Sequence, residues 1–174
     1  MSDKAASHNV VASRRQEAKK RRESASLSIA AELRRHELIA DVTMGNTLEA
    51  DIECTSKEGT KSVYIKVKTC APGRRTCIVG MKAEKDFGDK FFWVIAGKPS
   101  VKMDKPFEYY IIPSRIMAEK VREEHQLWLQ LACKNGQKHR DNRVRIAYIP
   151  PSKFLTGWDI SDYRDKWDLI EDEL

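Results

Sequence analysis

The sequence predicts an α/β (α+β) domain in which a mixed central sheet is flanked by helices. Three observations carry this. Between Glu49 and Cys70, in EADIECTSKEGTKSVYIKVKTC, two segments of strand-like alternation flank Lys57-Glu58-Gly59-Thr60, the pattern of paired strands joined by a turn. Phe91-Phe92-Trp93-Val94-Ile95-Ala96 is apolar throughout, as befits a strand covered on both faces. Helical spacing of apolar residues brackets these strands, near residues 26–38 and 114–133.

At 174 residues and 20.0 kDa the chain fits one domain, and a chain of this size buries roughly 70% of its unfolded surface. Charged residues make up 33% of it, the net charge is +6 and the pI is about 9.1, a balance that is compatible with an anionic partner but does not select nucleic acid over a membrane surface or simple solubility. Cys54, Cys70, Cys77 and Cys133 form no C-x-x-C pair and have no histidine at zinc-site spacing, which points to reduced thiols. The N-terminus lacks a hydrophobic signal core, and the longest apolar run, Phe91 to Ala96, is too short to span a bilayer. A cytoplasmic protein without membrane contact is the expectation.

Residues 1–23 are polar and carry the run Arg14-Arg15-Gln16-Glu17-Ala18-Lys19-Lys20-Arg21-Arg22, read as a basic, flexible tail or frayed helix with phosphate contact as the functional alternative. Ser24 or Ser26 is placed to cap a helix through about Leu38, with Leu27, Ala30, Ala31 and Leu33 on its apolar side and Glu32 close by. Met44-Gly45-Asn46-Thr47 is a turn before the first strand. After the central pair, Ala71-Pro72-Gly73-Arg74-Arg75 is a turn and Thr76 to Met81 a third strand; Phe91 to Ala96 and Phe107 to Ile112 complete five.

Ser114 is then expected to cap a helix through about Cys133, whose Ile116, Met117, Val121, Leu127, Trp128 and Leu131 suit one buried side. The polar loop 135–142 leads into an extended segment, Val144 to Ile149, and Lys134, Lys138, Arg140, Arg143 and Arg145 make this the second basic concentration. Residues 150–174 turn acidic; Ser161 is placed to cap a short helix whose Tyr163, Trp167 and Ile170 dock on the body. The expected division is a tail over 1–23, a core over 24–149 and a docked acidic segment over 150–174.

Alternation puts Asp51 and Glu53 on one face of their strand, and Lys66 and Lys68 on one face of the next. Pairing of the two strands brings acids beside lysines. An early helix bearing an acid, a strand with Asp51, a turn and a strand ending Tyr64-Ile65-Lys66-Val67-Lys68-Thr69 together resemble the PD-(D/E)XK nuclease superfamily, with its restriction-endonuclease-like fold. Lys82-Ala83-Glu84 and Phe91-Phe92-Trp93-Val94 follow in the order seen in small prokaryotic proteins of that fold, and the resemblance spans roughly residues 24–149.

By that resemblance Asp51 matches the metal-binding aspartate, Lys68 the catalytic lysine and Glu32 the helix acid that completes the site. It implies a Mg2+ or Mn2+ ion activating water against a phosphodiester, and nucleic acid as the partner, DNA before RNA. The departure is Lys66, which stands where the family has Glu or Gln. An ammonium about 4 Å from a divalent ion costs roughly 8 kcal/mol at an effective dielectric near 20.

Two readings follow from that departure. Either Glu53 or Glu49 supplies the missing oxygen while Lys66 turns outward, leaving a divergent nuclease, or Lys66 occupies the metal's place and the fold serves recognition. Nucleic-acid contact is expected from Arg74, Arg75, Lys138, Arg140, Arg143 and Arg145. A third reading is a non-catalytic interaction or assembly module, homodimeric or with a protein partner, that uses the acidic C-terminal segment. No Gly-rich phosphate loop or nucleophile elbow is present, and His8, His36, His125 and His139 are scattered.

Overall fold

The computed structural model describes residues 2–43, 49–97, 107–133 and 136–174. A single helix, α1, runs from Ser2 to Arg35, so the basic run lies inside a helix that begins far before Ser24. The residues of this run are good helix formers, but over 12–20 every side chain is exposed, and among the described side chains α1 buries residues only from Ala25. Ala25, Ile29, Ala30 and Leu33 form the docked stripe. The turn expected at 44–47 lies outside the described residues.

The main sheet has five strands: β1 (Ile39–Val42), β2 (Ile52–Thr55), β3 (Ser62–Thr69), β5 (Phe91–Gly97) and β6 (Glu108–Pro113), in the order β1-β2-β3-β5-β6. β3 and β5 are parallel and every other neighbouring pair is antiparallel, so the expected mixed sheet is present. Its membership differs from expectation. The short edge strand β1 is an addition, and the segment expected as the third strand, β4 (Thr76–Ile78), leaves the sheet to pair with β7 (Ile146–Tyr148). Leu38-Ile39-Ala40 has the composition of a helix end as much as of a strand, which hid β1. Turn chemistry did mark the β2–β3 hairpin at residues 57–60, where Gly59 takes φ +71°, a conformation glycine adopts without strain.

The all-buried β5 separates two cores. On one face, Phe92, Val94 and Ala96 pack with Ile65 and Val67 of β3 and Ile29 and Leu33 of α1. On the other, Trp93 and Ile95 pack with Met117 and Val121 of α2 (Ser114–Gln130). Ser114 does not cap α2: Pro113 holds the cap position, and the Ser114 hydroxyl accepts the Phe87 N–H at 2.8 Å. The C-terminal segment docks on both cores. Tyr163 packs on the α2 side, while Trp167 and Ile170, beside the one-turn helix α3 (Asp168–Glu171), enter the α1 side. Asp159, not Ser161, accepts the turn's hydrogen bonds there, from the Ser161 N–H and hydroxyl.

One cysteine expectation is overturned. Cys70 and Cys77 are disulfide-bonded, with Cα atoms 4.4 Å apart, because the Ala71–Arg75 turn folds the end of β3 back against the start of β4. Their spacing of seven follows no familiar motif. Cys54 and Cys133 are free thiols.

Candidate nucleic-acid interface

Asp51 sits immediately before β2, where its N–H bonds to the Ile65 carbonyl at 2.8 Å. Its carboxylate reaches across to β3, accepting the Val67 N–H at 2.9 Å on Oδ2 and facing Lys66 Nζ at 3.3 Å on Oδ1. Arg22 Nε of α1 lies 4.0 Å from the same Oδ1. Both members of this ion pair are sequestered, the side chains of Asp51 and Lys66 being 14% and 20% exposed. Of the acids and lysines that alternation was expected to bring together, Asp51 and Lys66 meet, and Lys66 turns toward Asp51, not away; Glu53 and Lys68 do not join them in an ion pair among the described residues.

Glu32 is not part of this cluster. It lies ten residues beyond Arg22, about 15 Å further along a helix, where it pairs with Arg35 and His36. His36 in turn bonds Glu171 at 2.5 Å. The α1 side chain that meets Asp51 is Arg22, a residue the resemblance did not single out. Glu53 stands in register between Asp41 and Tyr64, and Glu49 is engaged by Lys82 at 2.9 Å, which holds its carboxyl below the usual range.

This donor set does not fit a divalent ion. The one carboxylate at the head of β2 is already bonded by a backbone N–H and faced by two cations, and among the described residues no group of three or more His, Cys, Asp or Glu side chains is placed to hold a metal. The Mg2+ or Mn2+ chemistry implied by the resemblance finds no matching coordination here.

Lys68 occupies a different setting from Lys66. Among the described residues it has no carboxylate ion pair, and its ammonium lies 5.7 Å from the centre of the Trp93 ring. Burial, followed by the nearby Lys66 charge, lowers its pKa, with smaller contributions of the same sign from Arg22 and Lys82; Asp51 opposes them. The ring face favours the charged amine weakly at this distance.

Beyond Asp51 a cleft of about 670 Å³ opens between the basic half of α1 and the β3–β4 corner, lined by Arg15, Ala18, Lys19, Arg21, Arg22, Val67, Lys68, Thr69, Ala71, Arg74, Thr76 and Ile78. Its position follows from helical spacing: Arg15, Ala18, Lys19 and Arg22 recur at i, i+3, i+4 and i+7 and share one face. Six of the twelve lining residues are cationic and none is acidic. Arg21 Nε is buried without a hydrogen-bond acceptor among the described residues, a donor that an anionic ligand would satisfy.

The other expected contact residues divide. Arg74 lines the cleft. Arg75 is committed to Glu108 at 3.5 Å and the Pro150 carbonyl at 2.6 Å. Arg145 is a buried strut, 4% exposed, tied to Glu84, Asp141 and the carbonyls of Asn142 and Val144, so it is withdrawn as a phosphate contact. Lys138, Arg140 and Arg143 are exposed on the loop before β7. Arg15, Lys19 and Arg21 were legible only as a charge run, because their convergence on Lys68 depends on α1 continuing unbroken.

No protein-family model matches the chain, and no curated protein matches it. Among solved structures it is similar to a bacterial homing endonuclease, at 13% sequence identity and a TM-score of 0.49, over 89% of this chain and 92% of that one. Among the described residues no helix is long and apolar enough to cross a membrane.

Proposed function

We propose that this chain binds nucleic acid, DNA in preference to RNA, through the phosphate backbone, in the cleft between α1 and the β3–β4 corner, on a nuclease-like scaffold that does not use divalent-metal hydrolysis at Asp51. The observation that carries this reading is the lining: six cations, no acid, and a buried guanidinium nitrogen without an acceptor. Phosphates neutralise such a surface and release the counterions condensed on the nucleic acid. The preference for DNA rests on the resemblance to PD-(D/E)XK nucleases. Lys66 and Arg22 supply at Asp51 the positive charge that a metal would otherwise provide, and thereby extend the cationic surface toward the head of β2.

The test is binding of a fluorescent DNA duplex as a function of salt, in chelator, by wild type and by a triple variant Arg15→Ala, Lys19→Ala, Arg74→Ala. Neutralising about four phosphates makes affinity fall roughly a hundredfold between about 50 and 200 mM salt. The triple variant should bind more weakly at every salt concentration, with a shallower slope. Salt-insensitive binding, or an unchanged slope in the variant, would remove the cleft from the reading. Magnesium-dependent cleavage by wild type that Asp51→Ala abolishes would overturn the non-hydrolytic part.

A further inference from the structure

We propose that Lys68 is a nucleophilic amine and that the cleft accepts DNA carrying an abasic sugar, whose aldehyde carbon Lys68 attacks to form an imine. This rests on the cleft being a phosphate-binding surface and adds a covalent step to it. Three features of the placement support it. Lys68 lines the cleft together with Arg15, Lys19, Arg21, Arg22 and Arg74, so a phosphate backbone held by those cations would pass beside it. It has no carboxylate ion pair among the described residues, whereas its neighbour two positions away is held by Asp51 at 3.3 Å. It is half-buried against Trp93, and Lys66 is the like charge that acts on it most strongly. A lysine desolvated beside a second cation loses its proton more readily and becomes a nucleophile, and its lowered pKa has these two causes first.

The chemistry balances without metal or redox partner. The free amine adds to C1′ of the ring-opened sugar; the carbinolamine takes up one proton from solvent and loses one water, which leaves the protonated imine. The imine withdraws electrons from C2′, a C2′ proton passes to water, and the C3′–O bond breaks. The strand on the 3′ side departs with a 5′-phosphate, and hydrolysis of the imine returns Lys68.

The experiment uses the full chain, in chelator and at low salt, with two duplexes that differ only by one abasic site. Borohydride added during incubation reduces the imine to a stable amine, and the protein–DNA adduct is read on a denaturing gel and by mass. Anisotropy measures binding of both duplexes in parallel. Wild type should give an adduct with the abasic duplex only. Lys68→Arg, which keeps the charge, should lose the adduct by roughly tenfold or more relative to the fraction of abasic duplex it binds; Lys68→Ala should lose it as well. Thermal unfolding of both variants shows that the fold is retained. An adduct of equal yield in Lys68→Arg, or none from wild type while the abasic duplex is bound, overturns the proposal and leaves the phosphate cleft standing. Failure of wild type to bind either duplex overturns both.

Discussion

At the scale of the residue, the protein's chemistry is decided by which charges are answered and which are not. Lys66 is answered by Asp51, Arg145 by Glu84 and Asp141, and Glu124 by the Leu155 and Thr156 N–H groups. Lys68 and Arg21 Nε are not answered among the described residues, and both belong to the cleft. Thiols divide in the same way. Burial alone pushes the Cys54 thiol up to about 12, while Cys133 is half-exposed with Sγ 3.2 Å from His139 Nδ1. Only the thiolate alkylates, so Cys54 stays protonated through neutral and mildly alkaline pH. Iodoacetamide on the native, unreduced protein should therefore modify one cysteine, Cys133, between about pH 7 and 9, with Cys54 joining only on unfolding. Mass spectrometry after digestion reads this directly. Labelling of Cys54 in the native state would mean that the sheet between β1 and β3 opens.

At the scale of the element, α1 is two helices in function and one in backbone. Its C-terminal half buries Ala25, Ile29, Ala30 and Leu33, and its exposed basic stretch over 12–20 contributes cations to the cleft. The two halves should fail differently. Leu33→Ala removes a fully buried side chain and should cost about 2–5 kcal/mol of stability. Deleting residues 1–20 should leave the denaturant midpoint nearly unchanged, because the described side chains lost are exposed, yet lower DNA affinity by roughly tenfold or more at low salt. Comparing unfolding and anisotropy on the two variants separates the roles, and a truncation that unfolds the domain would show that the basic half holds the fold. Apolar spacing announced part of the docked half: Ala30 and Leu33 are buried as expected, but Leu27 is 63% exposed and Ala31 faces solvent, and Ala25 and Ile29 complete the stripe instead. Spacing could not announce that the charged run joins the same helix, since a helix with no apolar face is stabilised by what lies at its ends and on its ligand.

At the scale of the whole molecule, the parts legible in sequence were those fixed by local pattern, and the parts that were not depend on distant partners. Alternation along 51–53 and 64–68 was enough to bring acids near lysines, but the choice of Asp51 as the partner of Lys66 came from the register of the two strands. Glu32, by contrast, has the right residue type on the right helix, yet it is turned to Arg35 and His36 one helical turn on, well away from Asp51. β4 has strand composition, but β7 claims it from 70 residues away in sequence, Cys77 facing Ala147. The acidic segment shows the same dependence. Sequence spacing already turns Tyr163, Trp167 and Ile170 toward the body, with a protein-contact role as the alternative; the fold shows that Trp167 and Ile170 are part of the core against α1 and that Glu171 and Glu173 pair with His36 and Lys90. Loss of this segment should therefore unfold the sheet instead of merely releasing a partner. Trp167 is 5% exposed and packs edge-on against Tyr109 at 5.5 Å, so Trp167→Ala should destabilise the protein by about 3–5 kcal/mol. Replacing the exposed Asp168 and Asp172 by Asn leaves that packing intact and should change stability within about 0.5 kcal/mol. Chemical denaturation of both variants decides the matter: a stable Trp167→Ala protein would return the C-terminal segment to the role of a detachable arm.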